Sequence, residues 1–314
     1  MPDNDRNIDP GMMTFYKALN AKTPAGSEHW PLAEQRHAWN ALCREFRAER
    51  PAGIDVEDIV ANAVPCRLFR PQSSTALPIV IYGHGGGWVL GGPDTHDDMC
   101  AELSAKANCA VLLMDYRLAP EHPHPAQLED SLKVWRWVNE QASHWGFDPK
   151  RIIAAGDSAG GQLSVALALA LRDLALPQVA GLLLIYPVLG ANMETASYLS
   201  NAHAPCLTRD EMKFYLEAFL GPHGSAAWSD EKAVPNLLRD VSGLPPTFIT
   251  VAEHDPLCDD GVIFHEKLLA GGIPSELRRE PLLAHSYMRA RHHSSVAMAG
   301  FDAIEEALKG LAWG

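Results

Sequence analysis

From residue 76 onward, short apolar runs alternate with segments whose apolar positions recur every three or four residues, a pattern that predicts βα units around a mostly parallel sheet. The runs at 78–82, 110–115, 151–155, 180–185, 247–252 and 275–279 read as strands, with 64–69 as an earlier edge strand. They are apolar almost without interruption, which predicts a sheet covered on both faces. Helical spacing fills 127–141, 159–172, 259–270 and 295–311, and the Gly271-Gly272 pair stops the third of these. Two stretches stand outside the alternation. Residues 1–53 carry a helical pattern at 32–50 before any convincing strand and display Met12, Met13, Phe15, Tyr16, Trp30 and Trp39. Residues 190–235 interrupt the strand series with Tyr198, Phe214, Tyr215, Phe219 and Trp228. Any one of these side chains alone reads as ordinary helix packing. As a set they predict a two-part apolar lid on a catalytic domain spanning 54–314, one cap segment at 1–53 and a second inserted at about 190–235.

The strand at 151–155 runs straight into Gly156-Asp157-Ser158-Ala159-Gly160, and a helix-like run follows. That strand-turn-helix setting is what a nucleophile elbow requires: the sharp turn leaves the Ser158 hydroxyl exposed, while side chains at Gly156 and Gly160 would clash. Just after the strand at 78–82 comes His84-Gly85-Gly86-Gly87, whose glycines can bare successive N–H groups to a tetrahedral intermediate. A serine nucleophile needs a base, and the base needs an orienting carboxylate. Asp255 lies on the loop beyond the strand at 247–252, and His285 follows the strand at 275–279, so both are expected at the sheet edge that carries Ser158. Glu253 and Asp259 compete for the acid role, although Asp259 reads better as the N-cap of the next helix. His254, His265, His292 and His293 compete for the base, less suited by position. Asp255 and His285 are preferred.

With 314 residues, 47% apolar and 21% charged, the chain can bury one large core. Its net charge of -13 repels phosphate backbones, so no nucleic-acid partner is expected. The start, MPDNDRNIDPGMM, is acidic where an export signal needs a basic and then apolar stretch, and the apolar runs are too short to span a membrane. Six scattered cysteines read as reduced thiols of a cytoplasmic protein. The His122/His124 and His292/His293 pairs belong to no metal-ligand set, so no metal is expected. The strand at 275–279 could pair across a two-fold axis to make a homodimer.

Four segments in order, His84-Gly-Gly-Gly-Trp88, Asp115-Tyr-Arg-Leu-Ala-Pro-Glu-His122, Gly156-Asp-Ser-Ala-Gly-Gly161 and Asp255-Pro-Leu-Cys-Asp259, resemble the hormone-sensitive-lipase-like esterases of bacteria. The resemblance covers residues 76–299 and implies the α/β-hydrolase fold with a helical cap. It also implies a Ser158, Asp255 and His285 triad that needs no cofactor. The oxyanion hole would come from Gly85, Gly86 and Gly87, chiefly the last two, with the N–H of Ala159. Arg117 and Glu121 would be structural supports, and the substrate a small short-acyl ester. A lactone, carbamate or amide would suit the same machinery. A non-catalytic receptor, such as the plant gibberellin receptor that resembles this family but has lost the histidine, is disfavoured because His285 is present. One departure stands out: the family's usual His-Gly-Phe is His285-Ser286-Tyr287 here. Serine sits poorly at positive φ, so this loop is expected to differ in shape.

Overall fold

The computed structural model describes residues 7–24 and 26–314; residues 1–6, which belong to the start read as lacking an export signal, lie outside the described residues. In chain order the elements are α1 (Pro10–Lys22), α2 (Leu32–Glu45), β1 (Ile54–Ala61), β2 (Val64–Pro71), β3 (Leu77–Gly83), α3 (Asp97–Ala107), β4 (Ala110–Met114), α4 (Ala126–Trp145) and β5 (Phe147–Asp157). Then follow α5 (Ala159–Asp173), β6 (Gly181–Ile185), α6 (Ala196–Ser200), α7 (Arg209–Leu220), β7 (Thr247–His254), α8 (Cys258–Ala270), β8 (Ser275–Ala284) and α9 (Ser295–Trp313).

The strands form one eight-stranded sheet in the order β1-β2-β4-β3-β5-β6-β7-β8, parallel from β4 to β8 and antiparallel at β1 and β2. Because side chains alternate across a strand, each buried strand feeds two cores. Ile79, Ile81, Leu112 and Ala154 join one cluster with α4, α5 and α8, while Val80, Tyr82, Val111 and Ile153 join another with α3 and α9. Every residue of β3, β4 and β6 is buried, which explains their unbroken apolar sequence. β1 has no such run. Its Asp55, Glu57 and Asp58 sit on a half-exposed edge strand joined to β2 through Asn62 and Ala63, both at positive φ, the backbone of a tight hairpin turn.

Helix ends follow local chemistry. Thr208 and Glu211 form a capping box on α7, Ser294 accepts from Ala297 N–H on α9, and Asp9 caps α1. Gly272, at φ +75°, ends α8 where the glycine pair predicts a stop. Asp259 is not a cap: it lies inside the first turn of α8, and its carboxylate accepts from Ser197 N–H. α2 ends at Glu45 rather than reaching residue 50, and β8 extends to Ala284.

The aromatic set divides. Tyr198 and Phe219 form a third cluster with Trp88, Ala159 and Leu216, against which Trp39, Phe214, Tyr215 and Trp228 pack half-buried. Met12 and Phe15, expected in the same lid, instead fill the hydrolase core beside Tyr287 and Phe301. Among the described residues, no helix is long and apolar enough to cross a membrane.

Candidate active site

Ser158 sits between the carboxyl end of β5 and the first residue of α5, at φ 54° and ψ -117°. A non-glycine residue held in this region costs about 1–3 kcal/mol and needs surroundings that dictate it. Here they do. Ser158 N–H donates to Ile185 C=O (2.8 Å) and its C=O accepts from Val188 N–H (3.2 Å), tying the turn to the end of β6. A Cβ on Gly160 would lie 1.9 Å from Gly83 O, so strand and helix meet only if that residue is glycine.

The ends of β7 and β8 supply the other two groups. His285 Nε2 is 3.0 Å from Ser158 Oγ, and His285 Nδ1 is 2.6 Å from Asp255 Oδ2. Asp255 Oδ1 accepts from Leu257 N–H (2.9 Å), which fixes the carboxylate. Asp255 is 0%, His285 5% and Ser158 6% exposed, so this relay lies in a water-poor setting where its polar contacts are strong. With the Asp255 carboxylate accepting the Nδ1 proton, Nε2 keeps its lone pair toward Ser158. Tyr186 packs its ring edge-on against His285 at 4.8 Å.

The competing residues lie elsewhere. Glu253 is exposed, His254 Nε2 is buried with no partner among the described residues, and His265 contacts Ser275 Oγ at 2.8 Å. His292 contacts Glu102 at 3.0 Å, and the His293 ring lies 5.0 Å from Phe46. His124 contacts Asp230 at 2.9 Å.

The glycine loop after β3 differs from expectation in one respect. Gly85 N–H donates to Asp157 Oδ1 (3.0 Å), so it is not open to an oxyanion; a correction is needed at that position. Among the described residues none accepts from the N–H of Gly86, Gly87 or Ala159. Gly86 and Gly87 have φ of +123° and +58°, and a Cβ on Gly87 would meet the Tyr215 ring at 2.4 Å. Trp88 anchors the loop: its Nε1–H donates to Gln162 Oε1 (2.9 Å), and its ring stacks on Phe219 at 4.0 Å.

Beneath the loop lies a polar network that the motif reading missed, because Asp157 is only a spacer in the pentapeptide. Its carboxylate accepts from Tyr82 OH (3.0 Å) as well as Gly85 N–H and contacts His96 Nε2 at 3.1 Å. Arg289 donates to Thr95 C=O (2.8 Å), reaches His96 Nε2 at 3.2 Å and covers the Trp39 ring. Burial alone would raise the Asp157 pKa, but attraction to His96 and Arg289 and the hydrogen bonds outweigh it and hold the carboxyl well below its usual range. Burial pushes the His96 imidazole down against the pull of the Asp157 carboxylate. His84, stacked on Tyr116 at 4.1 Å, is pushed down to about 3 by burial and stays neutral. The supports expected from sequence hold separate seams: Arg117 pairs with Asp130 (2.8 Å), and Glu121 with Arg36 (2.7 Å).

Ser286 occupies the left-handed region, at φ 62° and ψ 22°, so the loop keeps the shape in which serine was expected to be ill at ease. Its C=O accepts from Arg289 N–H (3.0 Å), and Tyr287 OH meets Thr250 Oγ1 (2.9 Å), which anchor the turn from both sides.

A family profile described as the alpha/beta hydrolase fold matches residues 80–289. Carboxylesterase NlhH of Mycobacterium tuberculosis is 44% identical over 260 residues, covering 79% of this chain and 77% of its own. The ethyl acetate hydrolase of Pseudomonas putida is 33% identical over 254 residues, covering 79% of each chain. The crystal structure of esterase LipW from Mycobacterium marinum superposes with a TM-score of 0.86 at 32% identity, over 100% of this chain and 99% of that one. Agreement of profile, sequence and fold across these lengths leaves one assignment: the chain belongs to the hormone-sensitive-lipase-like family of α/β hydrolases.

Proposed function

We propose that this carboxylic ester hydrolase is a serine carboxylesterase acting on short-chain esters, with Ser158 as nucleophile, His285 as base and Asp255 as its orienting acid. The observation that carries the reading is the continuous relay from Ser158 Oγ to His285 Nε2 (3.0 Å) and from His285 Nδ1 to Asp255 Oδ2 (2.6 Å). Ser158 Oγ attacks the ester carbonyl as its proton passes to His285 Nε2. The carbonyl oxygen becomes an oxyanion facing the N–H groups of Gly86, Gly87 and Ala159. The tetrahedral adduct collapses, the alkoxide leaves with the proton from His285, and the acyl group stays on Ser158. Water then attacks the acyl-enzyme by the same proton route.

The Tyr215 ring against Gly87 and the near-complete burial of Ser158 support a small substrate, as does the relative named for ethyl acetate. The second cap segment, 190–235, together with α2, covers this side of the sheet and acts as the lid. Ser158→Ala assayed on p-nitrophenyl acetate is expected to lose at least a thousandfold in kcat; retained activity overturns the nucleophile assignment. A p-nitrophenyl ester series should peak at short acyl chains, and a maximum at long chains refutes the size argument. Six thiols, five of them buried, support a reducing, cytoplasmic setting. The edge position of β8 supports pairing of two copies, which a monomer in light scattering would exclude.

A further inference from the structure

Under the second cap segment lies a cleft of about 520 Å³ to which none of Ser158, Asp255 and His285 contributes. Its floor is polar in an unusual way. Asp260, in the first turn of α8, is 1% exposed, and its Oδ2 accepts from Leu189 N–H (2.9 Å) and Gly190 N–H (2.8 Å). Its other oxygen, Oδ1, has no hydrogen-bond partner among the described residues and borders the cleft beside Gly190, where an added Cβ would come within 2.8 Å of it. Asn236 is held by its own backbone N–H to Leu189 C=O (2.7 Å) and by Nδ2 donating to Asp260 C=O (3.1 Å). Among the described residues that orientation leaves Asn236 Oδ1 buried and unpartnered, as is Thr195 Oγ1, which also belongs to the lining.

Buried polar atoms without partners are rare and costly, and two beside one cleft, together with the free oxygen of Asp260, call for a ligand that donates. Of the three, Asp260 Oδ1 and Asn236 Oδ1 offer lone pairs; Thr195 Oγ1 can accept or donate. No lysine or arginine lines the cleft to balance the carboxylate. Burial, with Asp255 and Asp259 nearby, pushes the Asp260 carboxyl up to about 7 against the two N–H groups that favour its charge. The rest of the lining mixes the polar Asn192, His223, Ser225 and Ser229 with apolar side chains: Trp228, fixed by Nε1–H donating to Gly221 C=O (3.1 Å) and with the His223 ring 4.8 Å from its own, together with Val234 and Ile263. An aromatic face beside a carboxylate suits an ammonium group on a hydrocarbon body.

We propose that this cleft is a second small-molecule site that takes a primary organic ammonium ion, its three N–H groups donating to Asp260, Asn236 and Thr195 Oγ1 and its apolar body resting on Trp228. The inference is independent of the esterase reading. It is tested by calorimetric titration of the full chain with phenethylammonium chloride, against phenethyl alcohol of nearly the same shape at constant ionic strength. Saturable one-to-one binding is expected, at least tenfold tighter for the ammonium ion. Asp260→Asn keeps an oxygen for Leu189 and Gly190 but turns a donor toward the cleft, and it should weaken ammonium binding at least tenfold. Thr195→Val keeps the shape of the wall and removes only the hydroxyl; with an unchanged melting temperature it should weaken binding severalfold. The proposal is overturned if the alcohol binds as tightly as the ammonium ion or if no saturable binding occurs. It is equally overturned if Thr195→Val, or a folded Asp260→Asn, binds like the wild type.

Discussion

Replacing Asp157 by Asn tests whether the oxyanion loop is held by charge or merely by packing. The amide oxygen of Asn can still accept from Tyr82 OH and Gly85 N–H, so most of the hydrogen bonding survives. What disappears is the negative charge facing Arg289, a guanidinium only 5% exposed whose neighbour Asp98 is already engaged with Arg291. Arg289 and Asp157 are not in direct contact, both reaching His96 Nε2 (3.2 and 3.1 Å), so the loss falls below the roughly 3–5 kcal/mol typical of breaking a direct buried ion pair. With the hydrogen bonds surviving, about 1–2 kcal/mol is expected, a sizeable fraction of a total stability of about 5–15 kcal/mol. Urea unfolding followed by circular dichroism measures this directly. The pH dependence gives a second check. A carboxyl held below its unfolded pKa contributes stability that is complete above about pH 4 and is lost as pH falls through the folded pKa. The gap between wild type and Asp157→Asn should therefore be widest near neutrality and shrink in acid. Because Gly85 hangs on the same carboxylate, kcat on p-nitrophenyl acetate should also fall. A destabilisation below about 1 kcal/mol, with kcat unchanged, would refute the electrostatic account.

Two further predictions concern the seams around the site. Arg36 forms a forked pair with the half-exposed Glu121 (2.7 and 2.8 Å) and also donates to the carbonyls of Val89 (2.9 Å) and Ala119 (3.2 Å). Glu121→Gln should therefore cost under about 1 kcal/mol and Arg36→Ala about 1–2 kcal/mol more, and equal losses in thermal melts would show that the carbonyl contacts contribute nothing. Ser286→Gly removes a left-handed penalty of about 1–2 kcal/mol while adding unfolded-chain entropy worth about 0.5–1 kcal/mol. A small rise in Tm is expected, and a fall would assign the serine hydroxyl a role the turn alone does not require.

What could be read from sequence followed the strength of the local signal. β3, β4 and β6 are buried on both faces and so carry only apolar residues, and their shortness separates them from α5, which is buried from Ala159 to Leu171. β1 escaped because an exposed edge strand has no reason to be apolar and Asp55, Glu57 and Asp58 mask its alternation. α3 escaped as well, since Asp97 and Asp98 occupy its buried first turn, where Arg47, Arg50, Arg67 and Arg291 neutralise them from distant parts of the chain. At the candidate site, Ser158, Asp255 and His285 could be nominated from sequence because each follows a recognisable strand. His96 and Arg289 could not be, since their significance arises only when the loop after β3 and the turn after His285 meet in space. The split of the N-terminal aromatics was hidden for the same reason: nothing in the spacing of Met12 and Phe15 says whether they face a cap or the sheet.

The position of α1 has a consequence for how the chain is made. Asp9 N–H donates to Leu282 C=O (2.9 Å), and a Cβ on Gly11 would lie 2.2 Å from His293 O. α1 thus leaves a ribosome well before its seat, which is built from β8 and the turn that precedes α9. At about 5–20 residues per second, it waits on the order of tens of seconds with Met12 and Phe15 uncovered. During that interval these side chains present a binding surface for a chaperone, or for another nascent copy, that the finished enzyme conceals. Slowing translation between α1 and α9 should lengthen that vulnerability without altering a single native contact.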